Sequence, residues 1–233
     1  PLLAPISPSS TQAAFATIAI LEDRLHKTTL TGLTTYLLVG MYGVMAQTDT
    51  RSALLAEAEI LVRTKGYAAF SYADLSDRIG IRKASIHHHF PTKEILGITL
   101  IDSYLEHFTA ELDALAVKRT DTKSKLLTYG DFFAESLRDG LMPLCGALAA
   151  DVAYLPISMQ QRVKKFFEIH TDWLEAILRE GVTQRELQLS SPPRKSALLL
   201  LSTLQGASVV AWALKDPTII KPAFRQTLDN LIK

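Results

Sequence analysis

From Thr48 onward, apolar residues recur every three or four positions and no stretch alternates with period two. The pattern predicts helices joined by short turns. "TRSALLAEAEILVRTKG" places Leu54, Leu55, Ala58, Ile60, Leu61 and Val62 at helical spacing, with Gly66 set to end the helix. In "FSYADLSDRIG", Ser71 is the N-cap and Asp74 follows three residues later, a capping box with Asp in place of Glu. That short second helix stops at Gly80. A third starts near Arg82 and ends by Phe90, because Pro91 disfavours helical geometry in the residue before it. Thr92 opens a long fourth helix with a stripe of Ile95, Ile98, Ile101, Leu105 and Phe108.

Beyond Thr120 the helices lengthen. One ends at Gly140, the next begins with Pro143 at its first helical position, and "SMQQRVKKFFEIHTDWLEAILREG" is stopped by Gly181. "PRKSALLLLSTLQGASVVAWALKDP" is apolar on nearly all sides, so burial over most of its surface is expected; Ser202, Gly206, Ala207, Ser208 and Ala211 permit close helix approach. A final amphipathic helix runs from about Thr218 to Leu231. The expected fold is all-α, and no internal repeat is visible.

The first 44 residues do not fit this pattern. "PLLAPISPSS" reads as loop, and the Thr- and Gly-diluted apolar run behind Arg24 and Lys27 imitates an export signal. Residues 1–44 are read as an extension outside the native domain, with Met45 as a natural start. Apolar content of 48% with 21% charged residues belongs to a globular chain, and a net charge of +1 leaves nucleic-acid binding to a local patch. Such a patch exists: between Arg51 and Lys93, seven Lys/Arg face four acids, a local net charge of +3. The single cysteine, Cys145, excludes an internal disulfide framework and Cys-rich zinc sites. No phosphate-cradling glycine loop and no metal-ligand spacing occurs, so an enzyme and a metal cofactor are not expected. A Cys145–His170 nucleophile and base would lack an orienting partner.

Short helix, glycine turn and short helix is the helix-turn-helix plan, whose second helix enters the DNA major groove. On that helix Ile86 and Phe90 lie one turn apart and face inward, leaving Lys83, Ser85, His87 and His88 around the other faces. The run Gly80, Ile81, Lys83, Ala84, Ser85, Ile86, then His89, Phe90, Pro91, Thr92, Lys93 and Glu94 resembles the DNA-binding domain of the tetracycline-repressor (TetR) family of bacterial regulators. It departs at Arg82, where that family has a Ser cap, and at His87, where it has Tyr.

The resemblance implies a helix-turn-helix domain over 45–96 and a larger ligand-binding and dimerisation domain over 97–233. It implies DNA contacts by Tyr72, Arg82, Lys83, Ala84, Ser85, His87, His88 and Lys93. Lys83 could donate to guanine and the Ala84 methyl touch thymine, while Ser85 and Lys93, with Tyr72, would hold phosphates. Adjacent helical residues point ~100° apart, so His87, His88 and His89 cannot converge on one metal; His89 is assigned to packing and the other two to DNA. Candidate lining of an interior pocket is Phe132, Phe133, Met142, Cys145, Leu148, Phe167, His170 and Trp173, although aromatics at helical spacing commonly just pack. A first-turn Cys145 would have its thiolate favoured by the helix dipole, whereas most lone cysteines are small buried hydrophobes.

The function expected on this resemblance is that of a cytoplasmic, homodimeric transcriptional regulator, most simply a repressor. It would bind a palindromic operator, pair through its last two long helices and be released by a small-molecule inducer. The alternative is a helical small-molecule or electrophile sensor or adaptor that has lost specific DNA binding.

Overall fold

The computed structural model describes residues 50–232; the reading of 1–44 as an extension and of Met45 as a start lies outside them. Among the described residues the regular structure is helical. Helix α1 covers 50–65. It is followed by α2 (Tyr72–Ile79), α3 (Lys83–His89), α4 (Lys93–Ala116), α5 (Thr122–Arg138), α6 (Leu144–Ala150), α7 (Ile157–Thr183), α8 (Pro193–Leu214) and α9 (Ile220–Leu231). Short 3-10 turns, Val152–Tyr154 and Pro217–Ile219, precede α7 and α9.

Local chemistry sets the early boundaries. The Ser71 hydroxyl accepts from the Ala73 and Asp74 amides, and the Asp74 carboxylate accepts from the Ser71 amide, closing the capping box. Gly80 ends α2 at φ 75°, a left-handed geometry that costs a glycine nothing. Phe90 is extended ahead of Pro91, and the Thr92 side chain caps α4 by accepting from the Ile95 amide.

Two buried clusters hold the chain. One fills the bundle of α5, α7, α8 and α9, with Leu126, Tyr129, Leu174, Leu178, Leu200, Leu204, Phe224 and Leu228 at its centre. The other joins α1–α3 (Leu54, Leu61, Leu75, Ile86, Phe90) to Leu96 and Ile101 of α4, to Leu144, Cys145 and Leu148 of α6, and to Met159 and Phe166 of α7. The small helices therefore share a core with the longer ones, and α4 runs unbroken past residue 96.

Arg63 adds a polar tie at the same seam. Its side chain, only 10% exposed, pairs with Glu59 at 2.6 Å. Its Nε donates to the Met142 carbonyl at 2.7 Å, and a terminal nitrogen donates to the Ser136 hydroxyl. The end of α1 is thereby fastened to the turn between α5 and α6.

Three expectations are corrected. Gly181 does not stop its helix: α7 continues to Thr183, and Gly181 is buried where a Cβ would stand 2.6 Å from the Thr122 hydroxyl oxygen. Its place there is dictated by close approach, not by chain termination. Pro143 is the N-cap of α6, one residue before the helix. Helix α8 is not covered on most sides, since Leu198, Leu199, Val209, Val210 and Leu214 are exposed along one flank. By length and composition α8 could cross a membrane, but its other flank (Ala197, Leu200, Leu204, Ala211) lies in the core.

Two consequences are measurable by urea denaturation. Arg63→Met strands buried acceptors and should cost about 1.5–3 kcal/mol. Gly181→Ala should cost about 1–3 kcal/mol by forcing α7 away from Thr122.

Candidate nucleic-acid interface

Helix α3 places Ile86 and Phe90 fully in the core, which turns its opposite face outward. Arg82, Lys83, Ala84, His87 and His88 are all exposed there, while Ser85 and His89 are half-buried at the margins. Lys83 and His87, and likewise Ala84 and His88, are four apart and so adjacent on the surface. Arg82 provides no side-chain cap for α3.

The electrostatics concentrate charge on this face. Glu57, Glu59 and Asp74 are engaged by Arg78, Arg63 and Lys65. The hydrogen bonds from Ser71 and then from Lys65 hold the Asp74 carboxyl well below the usual range. Among the described residues, Arg82 and Lys83 have no carboxylate partner, and neither does Arg51, whose guanidinium sits 4.9 Å over the Phe90 ring. Arg51, which the sequence reading counted as charge without giving it a contact, thus stands beside α3. Its only signal in the sequence was a basic residue at the start of the first helix.

Tyr72 and Lys93 are placed differently from the other candidates. The Tyr72 hydroxyl donates to the Phe90 carbonyl at 2.8 Å, its ring meets His87 edge-on at 4.8 Å, and burial pushes its pKa up to about 12. Lys93 turns inward: its ammonium donates to the Phe70 carbonyl at 2.6 Å and lies over the Tyr67 and Phe70 rings. Burial lowers its pKa. In this arrangement both residues brace α2 against α3 and α4. His87 Nδ1 lies 3.2 Å from the Pro91 carbonyl, which fixes the ring's direction. His88 and His89 meet edge-on at 5.4 Å, and burial, then His88 and Arg51, lower the His89 pKa.

The interior candidates divide between the two cores. Phe133 and Met142 are buried in the bundle core, with Phe132, Phe167 and Trp173 half-buried against it. Cys145 and Leu148 lie in the other core. Cys145 does sit in the first turn of α6 but is fully buried, and burial pushes its thiol pKa far up, opposite to the dipole-favoured thiolate. It behaves as a small hydrophobe.

His170 is the unusual one. It is 1% exposed, its Nδ1 lies 2.7 Å from the Tyr129 hydroxyl, and its Nε2 has no partner among the described residues. Among the described residues no cluster of His, Cys, Asp or Glu could hold a metal. A cleft of about 640 Å³ opens elsewhere, on the α7–α8 connection between Val182 and Pro193, away from these candidates.

The known proteins similar to this chain can now be set beside the geometry. Residues 54–96 match the family described as "Bacterial regulatory proteins, tetR family". A TetR-family transcriptional regulator from Agrobacterium tumefaciens is 31% identical, with a TM-score of 0.77 over 80% of this chain and 100% of its own. The HTH-type transcriptional regulator CymR of Pseudomonas putida is 26% identical over 186 residues, 78% of this chain and 88% of that protein. The reduced form of Escherichia coli NemR shares the fold, with a TM-score of 0.69 at 23% identity over 79% of this chain and 97% of its own.

The environment of His170 gives a pH prediction. Burial pulls its pKa from 6.5 down to about 3. A depressed histidine contributes stability that is present above the unfolded value and is lost as pH falls from 6.5 toward 3. The slope from this group reaches up to about 1.4 kcal/mol per pH unit. His170→Phe should flatten the fall in unfolding free energy between pH 6 and 4, measured by urea denaturation, by up to that slope.

Proposed function

This chain belongs to the TetR family of bacterial transcriptional regulators, and from that premise we propose that it is a cytoplasmic, ligand-responsive repressor that reads a palindromic operator as a homodimer. The single observation carrying the DNA-binding part is the exposed face of α3, where Arg82 and Lys83, with no carboxylate partner among the described residues, stand beside Ala84, His87 and His88. Lys83 suits a guanine edge and the Ala84 methyl a thymine methyl, with Arg51, Arg82 and Ser85 on the phosphates. Tyr72 holds His87 in place, and Lys93 reaches phosphate only by leaving the Phe70 carbonyl.

A seven-residue helix reads few base pairs, so specificity calls for two copies of the chain. The exposed flank of α8, with α9 beside it, is the apolar surface that supports pairing by a two-fold axis. The same pairing would cover the flank that makes α8 resemble a membrane span.

Release follows from linkage. A small molecule that binds the conformation with misplaced recognition helices better than the DNA-competent one lowers operator affinity. Arg63 and the shared core give the interior a mechanical route to α1.

The test is selection of bound sequences from a random duplex pool at physiological salt. A palindrome with half-sites about 34–36 Å apart is expected. Weak, salt-sensitive binding without enrichment would instead favour a sensor that has lost its operator. Lys83→Ala should cost about 1–3 kcal/mol on the selected sequence and little on random DNA. Arg51→Ala should weaken both alike and flatten the salt dependence by about one charge. Equal effects of the two changes would overturn this division of roles.

A further inference from the structure

Helix α3 carries one side chain whose hydrogen-bonding sense is set before DNA arrives. His87 Nδ1 lies 3.2 Å from the Pro91 carbonyl. Pro91 precedes Thr92, the N-cap of α4, so its carbonyl stands outside the hydrogen-bond ladder of that helix. A carbonyl accepts and never donates, so the hydrogen of the neutral imidazole belongs on Nδ1 and Nε2 presents a lone pair. Turning the ring over about its Cβ–Cγ bond would set a carbon against the carbonyl and lose the bond. The Tyr72 ring stands edge-on to the imidazole at 4.8 Å, and its hydroxyl donates to the Phe90 carbonyl at 2.8 Å. Tyr72 therefore brings no competing donor to Nε2.

The imidazole is exposed on the outward face of α3, one turn after Lys83. In the major groove, adenine N6 and cytosine N4 are amino donors, whereas guanine O6 and thymine O4 are keto acceptors. A lone pair fits the first two and is repelled by the other two. Whether the base is a purine or a pyrimidine does not enter.

We infer that His87 is a specificity-determining residue that separates amino from keto bases in each operator half-site. Its Nε2 accepts a hydrogen bond from adenine N6 or cytosine N4. The inference rests on the DNA-binding reading above and names the base chemistry it selects. Exchanging the two bases of that pair between strands is penalised, because it puts a keto oxygen where the amino group stood. A phenol, which the TetR family has at this place, turns its O–H to donate or accept and draws no such line. Lys83 is the complement, since an ammonium only donates and takes guanine O6 or N7. One helical turn of about 5.4 Å spans one to two base-pair steps of about 3.4 Å, which sets the amino base within two pairs of that guanine.

The test uses the full chain at pH 8, above the ordinary histidine value of about 6.5. The half-site selected from a random duplex pool should contain a position that takes adenine and cytosine alike. Duplexes with guanine or thymine on that strand should bind about ten-fold more weakly. His87→Gln, whose amide both donates and accepts, should readmit them there. 7-Deazaadenine, which keeps N6 and lacks N7, should bind as adenine does, because only a donor on His87 uses N7.

Nitrogen NMR of the unmodified chain without DNA should show the His87 hydrogen on Nδ1. The Nε2 signal should then move when the selected duplex is added. Hydrogen on Nε2, a selected half-site with no such position, weaker binding of 7-deazaadenine, or a position unchanged by His87→Gln overturns the inference and leaves operator reading standing. Selection that enriches no sequence overturns both.

Discussion

A buried guanidinium must keep its acceptors, and at Arg63 those acceptors come from two parts of the molecule. Glu59 belongs to α1, while Ser136 and the Met142 carbonyl belong to the end of α5 and the turn after it. Any shift of that turn relative to α1 breaks a bond to a charged group in a largely dry setting, a loss larger than that of an ordinary hydrogen bond. The Ser136 hydroxyl is itself committed, since it donates to the Leu141 carbonyl. Apolar contact reinforces the tie, because Leu144, Cys145 and Leu148 enter the core that also holds Leu54, Leu61 and Phe90. The small helices are thus positioned by the α5–α6 turn. That turn follows the helix carrying Tyr129, Phe132 and Phe133, so the interior and the α3 face are mechanically adjacent.

Much of the first four helices was legible in the sequence because their boundaries are written in local chemistry. Ser71 with Asp74, Gly80, Pro91 and Thr92 each act on backbone groups within a few residues, and the observed limits fall where those residues put them. The inward Ile86 and Phe90 were legible for the same reason, as a one-turn repeat. Gly181 was misread because a glycine can serve φ or close approach, and the neighbour that decides is Thr122, 59 residues earlier. The burial expected for α8 counted apolar residues without knowing how much of them one chain covers.

Direction of long polar side chains was the least legible feature. Lys93 matches a family position by type, yet its ammonium is drawn to Phe70, 23 residues away, by a free carbonyl and two aromatic faces. Arg63 carried only its i,i+4 partner Glu59 as a local signal; its bond to Met142 spans 79 residues. The Nε2 of His170, unpartnered among the described residues, is likewise a fact of packing, since nothing in "FEIHTDW" tells that Tyr129 takes the other nitrogen.

The three consecutive histidines come out with three different situations, and this bears on how the α3 face reads DNA. His89 sits at the margin with its charged form disfavoured, and His88 packs edge-on against it. His87 is held by the Tyr72 ring and by the Pro91 carbonyl. A carbonyl can only accept, so His87 Nδ1 must carry the hydrogen, and in the neutral ring Nε2 is an acceptor. An acceptor at that place fits the amino groups of adenine or cytosine and is repelled by guanine O6 and N7, whereas a protonated ring fits guanine or phosphate. On the proposed reading, Tyr72 and Pro91 would act on sequence preference without touching DNA, by deciding which nitrogen of His87 faces the groove.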